Sequence, residues 1–199
     1  MPSNAYHRWT NDRLGTVQAL RDAHRAVGGD DPGRRWTTAE LNRLMTVAAV
    51  GEFSAFIREL FIESVQILAS TPQPLAPPTE RLVAALAGST ARALTNPSPE
   101  KIARLFRGLG MTKTHAFWKM PDMASHGKDK TALNELVDLR NSLAHGGTDK
   151  VTLRDVKRQV RLLKRIARST DRTLRMFLTA ITGAEPWDDN YGALGAPFT

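Results

Sequence analysis

Apolar residues recur along this chain at steps of three and four, and no run alternates at a step of two. Three-and-four spacing gathers side chains on one face of a helix, whereas alternation would mark a strand. Glycine and proline punctuate the pattern, so it predicts an all-α fold of about five to seven helices with short connections. Ala5 to Val27 reads as a first helix, stopped at Gly28-Gly29 and followed by a turn, Asp30 to Arg35, that contains Asp-Pro-Gly. Thr37 with Glu40 three residues on forms a capping box, and a long helix follows to about Ala69. Its apolar set includes Leu41, Leu44, Ala48, Phe53, Phe56, Ile57, Leu60, Phe61 and Leu68. So wide a stripe places this helix at the centre of a bundle.

Four prolines between Thr71 and Pro78 exclude a helix there. Thr79 to Leu94 is the next expected helix, broken by Asn96-Pro97-Ser98-Pro99. Ser98 as N-cap with Pro99 in the first position starts a short helix to Arg107, ended by Gly108 and Gly110. Lys113 to Met123 reads as a short irregular helix. Lys130 to Ala144 is helical by the period of Leu133, Leu136, Val137, Leu139 and Leu143, with Gly146-Gly147 as its stop. Thr152 with Asp155 is a weaker capping pair for a last long helix to about Thr182, ended by Gly183. The expected organisation is a single bundle over 1–183, with a core of about 37–183 and an N-terminal helix of about 5–27, followed by a tail over 184–199.

At 199 residues and 41% hydrophobic, the chain suits one domain with a sizeable core. It has no cysteine, which excludes a disulfide scaffold, a zinc ribbon, a thiol nucleophile and an iron–sulfur cluster, and suits a reducing cytosol. Met1 to Arg13 is polar, so no secretory signal is expected. The most apolar stretch, Leu44 to Ile57, is short and carries Glu52, so no membrane span is expected. Together these point to the cytoplasm.

Charge changes the picture once it is located. The formal excess is +8, and Lys150 to Arg175 holds ten basic residues against two acidic ones, which accounts for all of it. On the last helix, Leu153, Val156, Val160, Leu163, Ala167, Leu174, Leu178 and Ile181 form a core-facing seam. One residue on, turned by about 100°, Arg154, Arg158, Arg161, Arg165, Arg168, Arg172 and Arg175 form a second stripe ~30 Å long. Guanidinium forks at that spacing suit a polyanion, whether DNA, RNA or an acidic protein. The alternative is a solvated face, or arginines paired with acids on other helices.

Of the five histidines, His7, His24, His115 and His126 have no second histidine at helical metal-pair spacing, so no metal or other cofactor is expected. His145 is different. It ends the string Leu139-Arg140-Asn141-Ser142-Leu143-Ala144-His145-Gly146, which follows Glu135-Leu136-Val137-Asp138. On a regular helix His145 lies over Asn141 and near Asp138, while Arg140 is rotated ~140° away. Three arrangements remain open: the turn departs from α geometry, the long arginine reaches round, or Arg140 serves a site on another copy.

This string resembles the signature of the HEPN superfamily, the higher eukaryotic and prokaryotic nucleotide-binding helical bundles: Arg, a polar residue, then His after four to six positions. The chain resembles the RiboL-PSP-HEPN type over roughly residues 40 to 180. Besides Arg140 to His145, the long helix with Glu52-Phe53 and Phe56-Ile57-Arg58-Glu59-Leu60 carries the likeness, as does Asn96-Pro97-Ser98-Pro99 leading into Ile102 and Leu105-Phe106. The resemblance implies a homodimer that cleaves RNA without a metal, the motifs of two protomers meeting at a cleft. His145 and Arg140 would be catalytic with Asn141, and Asp138, Ser142 and Glu52 would support them. Such an enzyme would be toxin-like, restrained by an antitoxin or another acidic protein. Two readings from other classes stand beside it. One is a non-catalytic RNA- or nucleotide-binding module, and the other is a partner-docking bundle. In both, Asp138, Arg140 and Asn141 would cap the helix and pair with Glu52 or Glu59, with His145 buried at its end.

Overall fold

The computed structural model describes residues 2–28, 35–69, 87–111 and 126–187. Every regular element among them is helical. In chain order these are α1 (Asn4–Arg8), a π-helical turn (Trp9–Arg13), α2 (Leu14–Gly28), α3 (Arg35–Ala69), α4 (87–92), α5 (Pro99–Arg107), α6 (His126–Ala144) and α7 (Leu153–Thr182). The expected turn at 30–34, the proline stretch, the start of the Thr79 helix, the Lys113 helix and the tail beyond Trp187 lie outside the described residues.

Helix α3 is the axis, packing against α1, α2, α6 and α7. Met45, Ala49, Val50, Phe53, Phe56, Ile57, Leu60 and Phe61 are all buried on it. Trp9 stacks on this surface, its ring centre 5.4 Å from that of Phe56 and 6.2 Å from that of Phe53. The expected long basic C-terminal helix is α7, whose Val156, Val160, Leu163, Ile166, Ala167, Leu174 and Leu178 face the core.

Several expectations need correction. The first helix is not continuous over Ala5 to Val27. In a regular α-helix Leu14, five residues after Trp9, would point away from it; the wider π turn takes up the phase, and Trp9, Leu14, Val17 and Arg21 all bury. The Thr10 hydroxyl, donating to the carbonyls of Tyr6 at 3.0 Å and His7 at 3.1 Å, stabilises that turn.

Helix α3 begins at Arg35, so Thr37 lies inside it and is not its N-cap; the Glu40 carboxylate pairs with Arg43 instead of reaching back. Leu44, expected in the apolar stripe, is 53% exposed, while the neighbouring Asn42 and Thr46 are buried. This end of α3 buries a polar face. Asn42 Nδ2 donates to the Val151 carbonyl at 3.0 Å and the Thr46 hydroxyl to Gln159 Oε1 at 2.8 Å. Ile181, expected in the α7 seam, is also exposed. Past Gly183 it is Trp187 that buries, its indole N–H donating to Glu63 Oε1 at 2.9 Å. Glu63 also accepts from the backbone of Asn4 and Ala5, each at 3.0 Å, so one carboxylate caps α1 and holds Trp187.

Helix α6 starts at His126, a turn before Lys130, because Asp129 in that turn is anchored by both a guanidinium Nε (2.8 Å) and an Nη of Arg165. Helix α4 ends at 92 rather than at Leu94. Ser98 and Pro99 do open α5, with the Ser98 hydroxyl accepting from the Lys101 amide.

The Thr152–Asp155 pair is a full capping box. Bonds from the Thr152 hydroxyl and backbone hold the Asp155 carboxyl below its ordinary range. That contribution to stability is present above the unfolded-state value and is lost as pH falls through the lower folded-state value. Thr152→Ala should therefore cost ~1 kcal/mol in urea unfolding at pH 7, and the gap from wild type should shrink below about pH 4.

Candidate functional site

Helix α6 ends in a Schellman motif that places His145. The Gly147 amide donates to the Ser142 carbonyl at 2.8 Å and the Gly146 amide to the Leu143 carbonyl at 3.3 Å. Gly146 takes φ +86°, which glycine adopts without strain. His145 is thus the C-cap residue, its amide shared between the Asn141 and Ser142 carbonyls at 3.1 Å each. Its side chain is exposed rather than buried. Any Cβ on Gly147 would sit 2.8 Å from the Ser142 carbonyl oxygen, so the reversal needs glycine there.

The loop after this turn is clamped to α3. Arg43 donates through Nε to the Asp149 carbonyl and through Nη2 to the Thr148 carbonyl, each at 3.0 Å. The Asn42 bond to Val151 continues the clamp. Ser142 donates to Asp149 Oδ2 at 2.6 Å across the turn. Arg43, Asn42 and Asp149 were not visible as site residues in the sequence, because their partners are carbonyls or lie across a turn.

Arg140 and Asn141 lie together, and a third residue joins them. Asn96 Nδ2 donates to Asn141 Oδ1 at 2.9 Å, and Arg140 Nη1 donates to the same oxygen at 3.2 Å. Arg140 Nη1 also reaches Asn96 Oδ1 at 3.5 Å. No carboxylate among the described residues pairs with Arg140. In the sequence Asn96 marked a helix break and part of the family likeness, with no site role. No side-chain hydrogen bond joins His145 to Arg140 or Asn141 within the protomer; the one link is the backbone bond from the His145 amide to the Asn141 carbonyl. Asp138 is exposed and joined to none of them. Glu52 bonds Arg13 at 3.1 Å and Glu59 bonds Arg8 and Arg13, so neither carboxylate pairs with Arg140. Burial pulls the Arg13 guanidinium down, but its bonds to Glu52 and Glu59 outweigh that and hold it above its ordinary value.

The arginine stripe divides in two. Arg165 is committed to Asp129, Arg175 to Glu185 at 2.7 Å, and Arg158 to Asp155 at 3.1 Å. Arg154, Arg161, Arg168 and Arg172 are exposed and carry no ion pair among the described residues. Burial and the neighbouring Arg168 push Lys164 below its ordinary value. Asp171, the other acid of this segment, turns inward. It is fully buried on the inner face of α7, accepting from the Ser3 amide and hydroxyl.

The chain matches the RiboL-PSP-HEPN family over residues 16–175, a span that holds Asn96, Arg140 to His145 and the whole arginine stripe. It belongs to that family. The HEPN superfamily to which this RiboL-PSP-HEPN chain thereby attaches commonly includes ribonucleases. No curated protein and no solved structure matches the chain. Among the described residues no helix is long and apolar enough to cross a membrane, and no three histidine, aspartate or glutamate side chains are gathered as a metal would need.

Gly147→Ala should destabilise the protein by about 1–3 kcal/mol, since backbone must shift to admit the methyl group. Gly15→Ala, in α2 with nothing within 4 Å of its new methyl, should stabilise by about 0.5–1 kcal/mol. Chemical denaturation of both variants against wild type checks the pair.

Proposed function

We propose that this RiboL-PSP-HEPN protein is a metal-independent endoribonuclease, a toxin-like or conflict-system effector acting as a homodimer. The observation that carries the reading is an uncompensated Arg140, held by amides, on the same helix end as an exposed, rigidly placed His145.

The neutral imidazole of His145 can take the proton of a ribose 2′-hydroxyl. The freed oxygen attacks the adjacent phosphorus, forming one P–O bond as the bond to the 5′-oxygen breaks. Charge that builds on the phosphoryl oxygens is bound by the Arg140 guanidinium, whose fork matches it. The departing 5′-oxygen takes a proton from His145 of the other copy or from water. The products are a 2′,3′-cyclic phosphate and a 5′-hydroxyl. In this reading the motifs of two copies meet at a shared site, as the family resemblance implies. Asn141 supplies a further donor, Ser142 braces the turn through Asp149, and Asp138 stands exposed on the His145 face. Arg154, Arg161, Arg168 and Arg172 would hold the RNA backbone leading away from the site. An acidic antitoxin would find the same four arginines.

A second reading, a non-catalytic RNA-binding module, is favoured by the lack of any His145–Arg140 contact in the protomer, and it keeps the four arginines without needing His145.

Purified protein with labelled RNA and excess EDTA separates the two. Wild type should leave cyclic-phosphate ends, and His145→Ala and Arg140→Ala should each lower the cleavage rate by at least ~100-fold. Equal cleavage by all three would sink the site. Binding without cleavage would move the assignment to the module. Replacing the four free arginines with alanine should raise KM and lower the salt dependence of RNA binding by about 0.7 in logarithmic slope per lost phosphate contact on single strands.

A further inference from the structure

The residue of this cluster to which the sequence assigned no chemical role is Asn96. It sits on a rigid support. Leu94 before it and Pro97 after it are buried. The Leu94 carbonyl accepts from the Ser54 hydroxyl of α3 at 3.3 Å. The Ser98 amide donates to the Asn96 carbonyl at 2.9 Å, closing a three-residue turn on Pro97. A residue before proline is confined to extended backbone, so Asn96 has little freedom to lose. From this support its amide meets both Arg140 and Asn141.

Donor and acceptor chemistry orients the whole cluster. A guanidinium can only donate, so the oxygens of both amides must face Arg140. That turns Asn96 Nδ2 onto Asn141 Oδ1 and leaves the Asn141 Nδ2 group, which has no partner among the described residues, as a spare donor. Arg140 spends Nη1 on the two oxygens and retains Nη2 and the buried, unpartnered Nε. A carboxylate in the place of Asn96 would orient the arginine equally well, but it would neutralise it. Neutral oxygens orient the guanidinium while its full charge remains for an incoming anion.

We propose that Asn96 is a positioning residue that holds Arg140 and Asn141 as an oxyanion-binding pair, and that its being an amide and not an acid is what keeps that pair cationic. This deepens the nuclease reading by assigning how its phosphate subsite is built, and it rests on that reading only for the identity of the anion.

The test uses inorganic phosphate as probe, so it does not depend on cleavage. The Arg140 Nε–H resonance, assigned through Arg140→Lys, is followed during a phosphate titration of wild type, Asn96→Asp and Asn96→Ala, with thermal unfolding measured alongside. The expected result is a saturable shift in wild type. Asn96→Asp should weaken it at least tenfold, with Tm unchanged or raised by the new Arg140 ion pair. Asn96→Ala should weaken it severalfold. Phosphate affinity equal across the three, or no response of Arg140 in wild type, would overturn the proposal. So would a loss of affinity in Asn96→Asp that comes with a matching loss of Tm, since that is a purely structural role. RNA cleavage by the same proteins is read separately. If wild type cleaves nothing while the titration behaves as expected, the nuclease reading fails and the assignment of Asn96 stands.

Discussion

The burial of α3 sets the position of every group at the candidate site. Phe53, Phe56, Ile57 and Leu60 are sealed on all sides, so this helix cannot shift or rotate without opening the core. From that fixed axis Arg43 and Asn42 reach the loop after His145, and Ser54 reaches the carbonyl two residues before Asn96. The loop after His145 and the turn at Asn96, separated widely in the chain, are therefore referenced to the same rigid rod. Preorganised donors of this kind favour a developing negative charge because they need no reorganisation when it appears.

The distribution of acids explains why the excess positive charge stays available. Carboxylates that could have quenched it are used elsewhere. Glu52 and Glu59 hold the π-helical turn through Arg13, Glu63 caps α1, and Asp171 is enclosed with Ser3. Asp129 and Glu185 neutralise the two arginines of α7 that lie nearest the body. Among the described residues, four guanidinium groups of α7 and Arg140 have no carboxylate partner. Their mutual repulsion weakens the helix by a few tenths of a kcal/mol per pair, and the apolar seam of α7 offsets that readily.

Legibility in the sequence followed the range of the interaction. Ser98 with Pro99, Thr152 with Asp155, and Gly183 are readable because each acts within one helical turn. Arg140, Asn141 and the Gly146-Gly147 stop lie within eight residues and are readable for the same reason. The polar face of α3 was misread because Asn42 and Thr46 find partners 109 and 113 positions away, and an apolar count cannot register a buried polar contact. Asn96 was read as a helix break and as part of the family likeness, not as a site residue, since the residue it serves is 45 positions on. The break in the first helix was hidden because a π turn leaves no mark in residue type, only in the phase of what buries.

The capping of α1 has a bearing on how the molecule is made. Helix α1 is held by Glu63, 59 positions after Asn4, and by Asp171, 168 positions after Ser3. Contacts of such separation form late, after the intervening chain has collapsed. A five-residue helix is too short to persist alone in water. Helix α1 therefore gains its full set of caps only with α7 in place, and the clamp on the loop bearing His145 is completed by Val151, at the threshold of that same helix. A fragment cut before Val151 therefore lacks both the Asn42 bond of the loop clamp and the inner cap of α1.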